Sequence, residues 1–122
     1  MELGLNDKVV LITGGARGIG AAAVRAFISE KCNVVFVDHD SESGTKLAKT
    51  SGTKGRFIEA ELNTPESCKQ AVEKTISFFG RIDVLVNNAG FNDGLGLETP
   101  PEKFMNSVRA NLLHVYAMTH FS

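Results

Sequence analysis

The sequence predicts an α/β fold, a doubly wound parallel sheet whose four strands stand in the order 3-2-1-4. Three observations carry that expectation. Short apolar runs recur without polar alternation, as strands covered on both faces do. Amphipathic segments of helical period separate them. The first apolar run passes directly into a glycine-rich turn. Strands separated by helices run parallel, through right-handed crossovers.

The first strand is expected at Lys8-Val9-Val10-Leu11-Ile12, the second at Val34-Val35-Phe36-Val37 and the fourth at Ile82-Asp83-Val84-Leu85-Val86. Arg56-Phe57-Ile58-Glu59-Ala60 is a weaker third. In the first helix, Ile19, Ala23, Ala26 and Phe27 share a face. The second runs from about Asp40 to Thr50, thinly patterned around Leu47 and Ala48. The third has the stripe Cys68, Ala71, Val72, Thr75, Ile76 and Phe79, with Thr64 as N-cap, Pro65 at its first position and Gly80 past its end. Thr99-Pro100-Pro101-Glu102 has capping-box spacing, and Phe104, Val108, Leu112 and Val115 continue as a fourth helical stripe.

One domain accounts for all 122 residues, of which 43% are hydrophobic and 22% charged. The formal net charge of −1 gives no electrostatic footprint for nucleic acid or an anionic membrane. No apolar run is long enough to span a bilayer, and the polar, acidic start is unlike a signal peptide. Cys32 and Cys68 have no metal-ligand or CxxC spacing, so a reducing cytoplasm is the expected setting, and no metal site is expected.

The turn after the first strand reads Thr13-Gly14-Gly15-Ala16-Arg17-Gly18-Ile19-Gly20. A turn this tight needs residues that accept positive φ, and a pyrophosphate close to the backbone needs positions without a Cβ. The following helix start offers N–H groups and the positive end of a dipole to an anion. Gly14, Gly18 and Gly20 meet these needs, in the spacing G-x-x-x-G-x-G. A tight strand–helix turn without a ligand is the plainer alternative. Asp38 ends the second strand 18 residues after Gly20. A carboxylate there accepts hydrogen bonds from adenosine ribose hydroxyls and repels a 2′-phosphate, favouring NAD over NADP. Arg17 and His39 pull the other way, since either can sit near a 2′-phosphate. Asp38 could instead cap the second helix, a task for which Asp40 is better placed.

These residues resemble the short-chain dehydrogenase/reductase family. Its glycine motif, Thr-Gly-x-x-x-Gly-Ile-Gly, matches Thr13 to Gly20. Its second signature matches Gly80-Arg81-Ile82-Asp83-Val84-Leu85-Val86-Asn87-Asn88-Ala89-Gly90. The resemblance covers the whole chain and implies a Rossmann fold. It also implies cofactor contacts at Gly14, Arg17, Gly18, Ile19, Gly20 and Asp38, and again at Asn88, Ala89 and Gly90. Glu61 and Leu62 stand where the family has an Asp and an aliphatic residue beside the adenine. Asn111 matches the family's catalytic-site asparagine. A narrower likeness, over Asn92 to Glu98 and Asn111 to Met118, is to the bacterial L-fucose dehydrogenase branch, and implies a sugar substrate.

The family's chemistry is a hydride transfer assisted by Tyr, a Lys four residues later, and a Ser. Here Tyr116 is the single tyrosine, and His120 stands four residues on. Tyr116 is therefore expected to be a packing residue. His114 and His120 read as lone helical histidines. By the resemblance, the catalytic Ser/Tyr/Lys region would follow residue 122, in a chain of about twice this length. The expected role is an NAD-dependent oxidoreductase acting on an alcohol or sugar hydroxyl, in an assembly of like subunits. The alternative is an inactive nucleotide-binding or interaction module, and the 122 residues alone are expected to be inactive.

Overall fold

A computed structural model describes residues 2–90 and 97–122. The strands are β1 (Val9–Thr13), β2 (Asn33–Asp38), β3 (Gly55–Glu59) and β4 (Val84–Val86), all parallel and ordered β3-β2-β1-β4. The helices are α1 (Gly18–Ser29), α2 (Ser41–Thr50), α3 (Pro65–Phe79), α4 (Pro101–Val108) and α5 (His114–Phe121). A π-helical turn, Arg109–Leu113, joins the last two. The strand order expected from the sequence is the one found, and each strand lies within a residue or two of its expected place.

Why the strands read as unbroken apolar runs is visible in the core. Leu11, Val35, Val37 and Ile58 point to one face of the sheet and pack with Cys68, Ala71 and Val72 of α3 and Ala117 and Met118 of α5. Val10, Ile12, Val34 and Phe36 point to the other, against Ala21 and Val24 of α1 and Leu47 of α2. With both faces covered there is no solvent side to favour polar residues. Both cysteines are buried and free, and burial raises their thiol pKa above its ordinary value.

Local chemistry sets the ends. Asp40 caps α2 by accepting from the Ser43 N–H at 3.0 Å. Thr64 caps α3, and Gly80 ends it at φ 84°, a conformation glycine adopts without cost. Asp83 then fixes where β4 meets β1. Its carboxylate accepts from Val9 N–H at 2.8 Å and from Arg81 at 2.9 Å, while its own N–H donates to the Val9 carbonyl at 2.8 Å. The Val9 bond is the main reason its carboxyl lies below the ordinary carboxylate pKa.

Two helical faces differ from the expected ones. In α1 the buried residues are Gly20, Ala21 and Val24, while Ile19 is 82% exposed and Ala26 is also exposed. The helix approaches the sheet through its smallest side chains. Along α4, the π turn and α5 the expected stripe faces outward: Phe104, Leu112 and Val115 are exposed, and His114, Ala117 and Met118 are buried instead. The helix starts at Pro101 with Pro100, not Thr99, in the cap position. The loop likeness at Asn92 to Gly96 lies outside the described residues.

Candidate functional site

The C-terminal ends of β1, β2 and β4 meet at one place because the parallel register aligns Ile12 with both Phe36 and Val86. Thr13, wholly buried, follows. Its hydroxyl oxygen accepts from the N–H groups of Asn88 and Ala89, each at 3.0 Å. The Asn88 side chain returns the connection, donating to the Gly14 carbonyl at 3.0 Å. Asn87 reaches Thr119 of α5 at 3.4 Å. The two sequence motifs are therefore stitched to each other and to the last helix.

This arrangement explains the glycines. Gly14 has φ 66°, and a Cβ there would strike the Ala89 backbone. A Cβ on Gly20 would overlap the Gly14 carbonyl and crowd the Asn88 amide. Gly20 thus lets α1 pack closely on the turn. Unlike α2 and α3, α1 has no side-chain cap, so its opening N–H groups are not claimed by its own N-cap.

A cavity of about 710 Å³ opens beside the turn. Of the residues singled out from the sequence, Gly14, Arg17, Asp38, Glu61, Leu62, Asn88, Ala89 and Gly90 line it. Gly18, Ile19, Gly20 and Asn111 are not among its lining residues. Asp38 is held in place: Oδ2 accepts from Ala16 N–H at 3.1 Å, and Oδ1 accepts from Asp40 N–H at 3.0 Å. The exposed ring of His39 also reaches Oδ1, at 3.1 Å. A carboxylate has about four acceptor positions, so these bonds orient it and still leave capacity toward the cavity. Asp38 does not cap α2; Asp40 does, as expected.

Asn111 lies inside the π turn. Its side chain donates to Ser107 Oγ at 3.4 Å, and its Oδ1 lies 3.1 Å from where a Cβ on Gly90 would be. The turn thus brings Asn111 against the end of the second motif. π turns recur at functional sites, and no sequence signal announces this one. Tyr116 is 73% exposed and stacks on His120 at 6.1 Å, so it is a surface residue and not the packing residue expected. Among the described residues no group of three metal-ligating side chains exists, and no helix is long and apolar enough to cross a membrane.

Sequence reasoning missed His114. It is 1% exposed, lines the cavity and makes no hydrogen bond through either ring nitrogen. Its signal was masked because the helix was expected to bury its other face. Burial lowers its pKa, and the nearby Ala89 backbone opposes the shift without reaching hydrogen-bond geometry.

The model of the short chain dehydrogenase family matches residues 8–121. The chain is 41% identical over 116 residues to the L-fucose dehydrogenase of Mus musculus, covering 93% of this chain and 42% of that protein. It is 39% identical over 119 residues to a probable galactose dehydrogenase of Rhizobium meliloti, covering 93% and 46%. Among solved structures it resembles the 3-ketoacyl-(acyl-carrier-protein) reductase from Brucella melitensis complexed with NADH, with a TM-score of 0.86 and 32% identity, over 95% of this chain and 49% of that one. The chain thus spans under half the length of the curated relatives it matches.

His114 generates a prediction with a definite sign. The unfolded ring titrates near ~6.5, and the native one lower. Below about pH 6.5 the unfolded state takes up a proton the native state resists, so stability falls as pH falls. Urea unfolding between pH 7.5 and 5.5 is expected to show the loss, by at most ~1.4 kcal/mol per pH unit from this group. His114→Leu is expected to flatten it, and an unchanged slope in that variant contradicts the assignment.

Proposed function

This chain belongs to the short-chain dehydrogenase family, and we propose that it forms the NAD-binding half of a dehydrogenase that moves hydride between NAD and a hydroxyl of a sugar or related alcohol. The observation that carries the reading is Asp38, fixed by two backbone N–H groups at the rim of a cavity that also holds Gly14 and Arg17. A carboxylate so placed matches a ribose diol and repels a ribose phosphate. Gly14, the uncapped start of α1 and the Asn88–Gly90 backbone suit the pyrophosphate and adenosine. Ala60, Glu61, Leu62 and Asn63 form the wall suited to the adenine.

A nicotinamide cofactor, when bound, would supply the hydride acceptor or donor. Asn111 is proposed for the catalytic end, held there by the π turn. The sugar reading is supported by relatives named for L-fucose and galactose. A second reading has its own observation: Tyr116, the single tyrosine, is exposed and has His120, not Lys, four residues on. These 122 residues are then a nucleotide-binding module that does not turn substrate over alone.

Partners follow from the outer face of α4, the π turn and α5. Phe104, Met105, Leu112 and Tyr116 are each more than 40% exposed, an apolar surface of the kind that marks association. We assign it to pairing between like chains.

Two measurements check these readings. Calorimetric titration is expected to show NAD binding, weakened at least about tenfold in Asp38→Ala through loss of charge-assisted hydrogen bonds. An unmodified chain that binds no NAD contradicts the proposal. Light scattering is expected to give a multimer that Leu112→Glu dissociates, whereas a monomer at every concentration rules out pairing through this face.

A further inference from the structure

The charges around the cavity do more than the ribose reading requires. Arg17 lies in the loop between β1 and α1, and its Nε is 3.1 Å from Asp40 Oδ2. The other Asp40 oxygen caps α2 through Ser43. One carboxylate therefore starts a helix and holds a cation. The Ser43 hydrogen bonds, with a smaller contribution from Arg17, keep its carboxyl below the ordinary carboxylate pKa. Asp40 is thus ionised near neutral pH.

A phosphate on the adenosine 2′-hydroxyl adds about −1.5 to −2 charges at neutral pH. A guanidinium is the side chain best shaped to receive it. Among the described residues lining the cavity, Arg17 is the one permanent cation, and Asp38 and Glu61 line it too. Asp40 stands outside that lining but occupies the Arg17 Nε. A guanidinium with one donor bound and its charge matched has less to offer an arriving phosphate.

We propose that Asp40 is a specificity-determining residue of the dinucleotide site: by pairing with Arg17 it withholds the guanidinium that would recruit a 2′-phosphate. Rejection of the phosphorylated dinucleotide then rests on two carboxylates with different tasks. Asp38 meets the ribose directly, and Asp40 neutralises the counter-charge. The two are coupled, because the Asp40 N–H donates to Asp38 Oδ1 at 3.0 Å. Arg17 is 67% exposed and its pair with Asp40 is screened by solvent, so the effect belongs to selectivity and not to stability. The proposal rests on the NAD reading above.

The test is calorimetric titration of the full chain with NAD and with NADP, for wild type, Asp40→Asn and Asp40→Asn/Arg17→Gln. Asn caps a helix about as well as Asp, so Asp40→Asn removes the charge and keeps α2. Asp40→Ser repeats the test with a different cap. Freeing the cation is expected to raise NADP affinity relative to NAD about tenfold. Removing Arg17 as well is expected to return the ratio to the wild-type value, and raised salt to shrink the gain. Wild type that binds NAD, with an unchanged ratio in both Asp40 variants, overturns the inference and leaves the NAD reading standing. A gain that survives Arg17→Gln also overturns it, since lost repulsion alone would then suffice. Wild type that binds neither nucleotide, or prefers NADP, overturns the NAD reading and this inference with it.

Discussion

Everything at the candidate site hangs on one buried hydroxyl. Thr13 ends β1, and two successive N–H groups beyond β4 both donate to its oxygen. β1 and β4 are neighbours in the order β3-β2-β1-β4, and the contact depends on that adjacency. Both amides are half-buried, and the hydroxyl satisfies the two of them at once. The Asn88 side chain then holds the Gly14 carbonyl, so one joint positions both motifs. A strand-order switch point is where open α/β sheets place their ligands.

Around that joint the polar groups divide into those that hold the protein and those left for a ligand. Asp83 and Thr64 are spent on strand and helix ends. Asp38 is partly spent, on the N–H groups of Ala16 and Asp40, and keeps acceptor capacity toward the cavity. Asp40 is spent twice, on α2 and on Arg17. The chemistry proposed for the family member depends on what remains: a turn backbone, an oriented carboxylate and an uncapped helix start.

Much of this was legible in the sequence. Continuous runs such as Val34 to Val37 announce a strand buried on both faces, and intervening helices force parallel order. Asp40 was legible as a cap from its place before Ser41. What escaped has physical causes. The outer stripe of the last helices was taken for the inner one because hydrophobicity alone does not say which face meets the sheet; Leu112 and Val115 stay exposed while small Ala117 and polar His114 turn inward. The π turn around Asn111 depends on packing that no local pattern encodes. The close packing at Gly20 was not legible either, because sequence shows a missing Cβ and not what fills its place. The Arg17–Asp40 pair joins two loops and is a tertiary fact.

The most direct measurement is native-state amide hydrogen exchange at Asn88 and Ala89. These residues lie past the end of β4, where a loop's amides would ordinarily exchange fast. If the Thr13 hydroxyl joins the two motifs, both amides are protected to the level of the Val35 amide in the sheet centre. Exchange at the rate of the exposed turn residue Glu98 would mean the joint is not closed, and the site would lose its foundation.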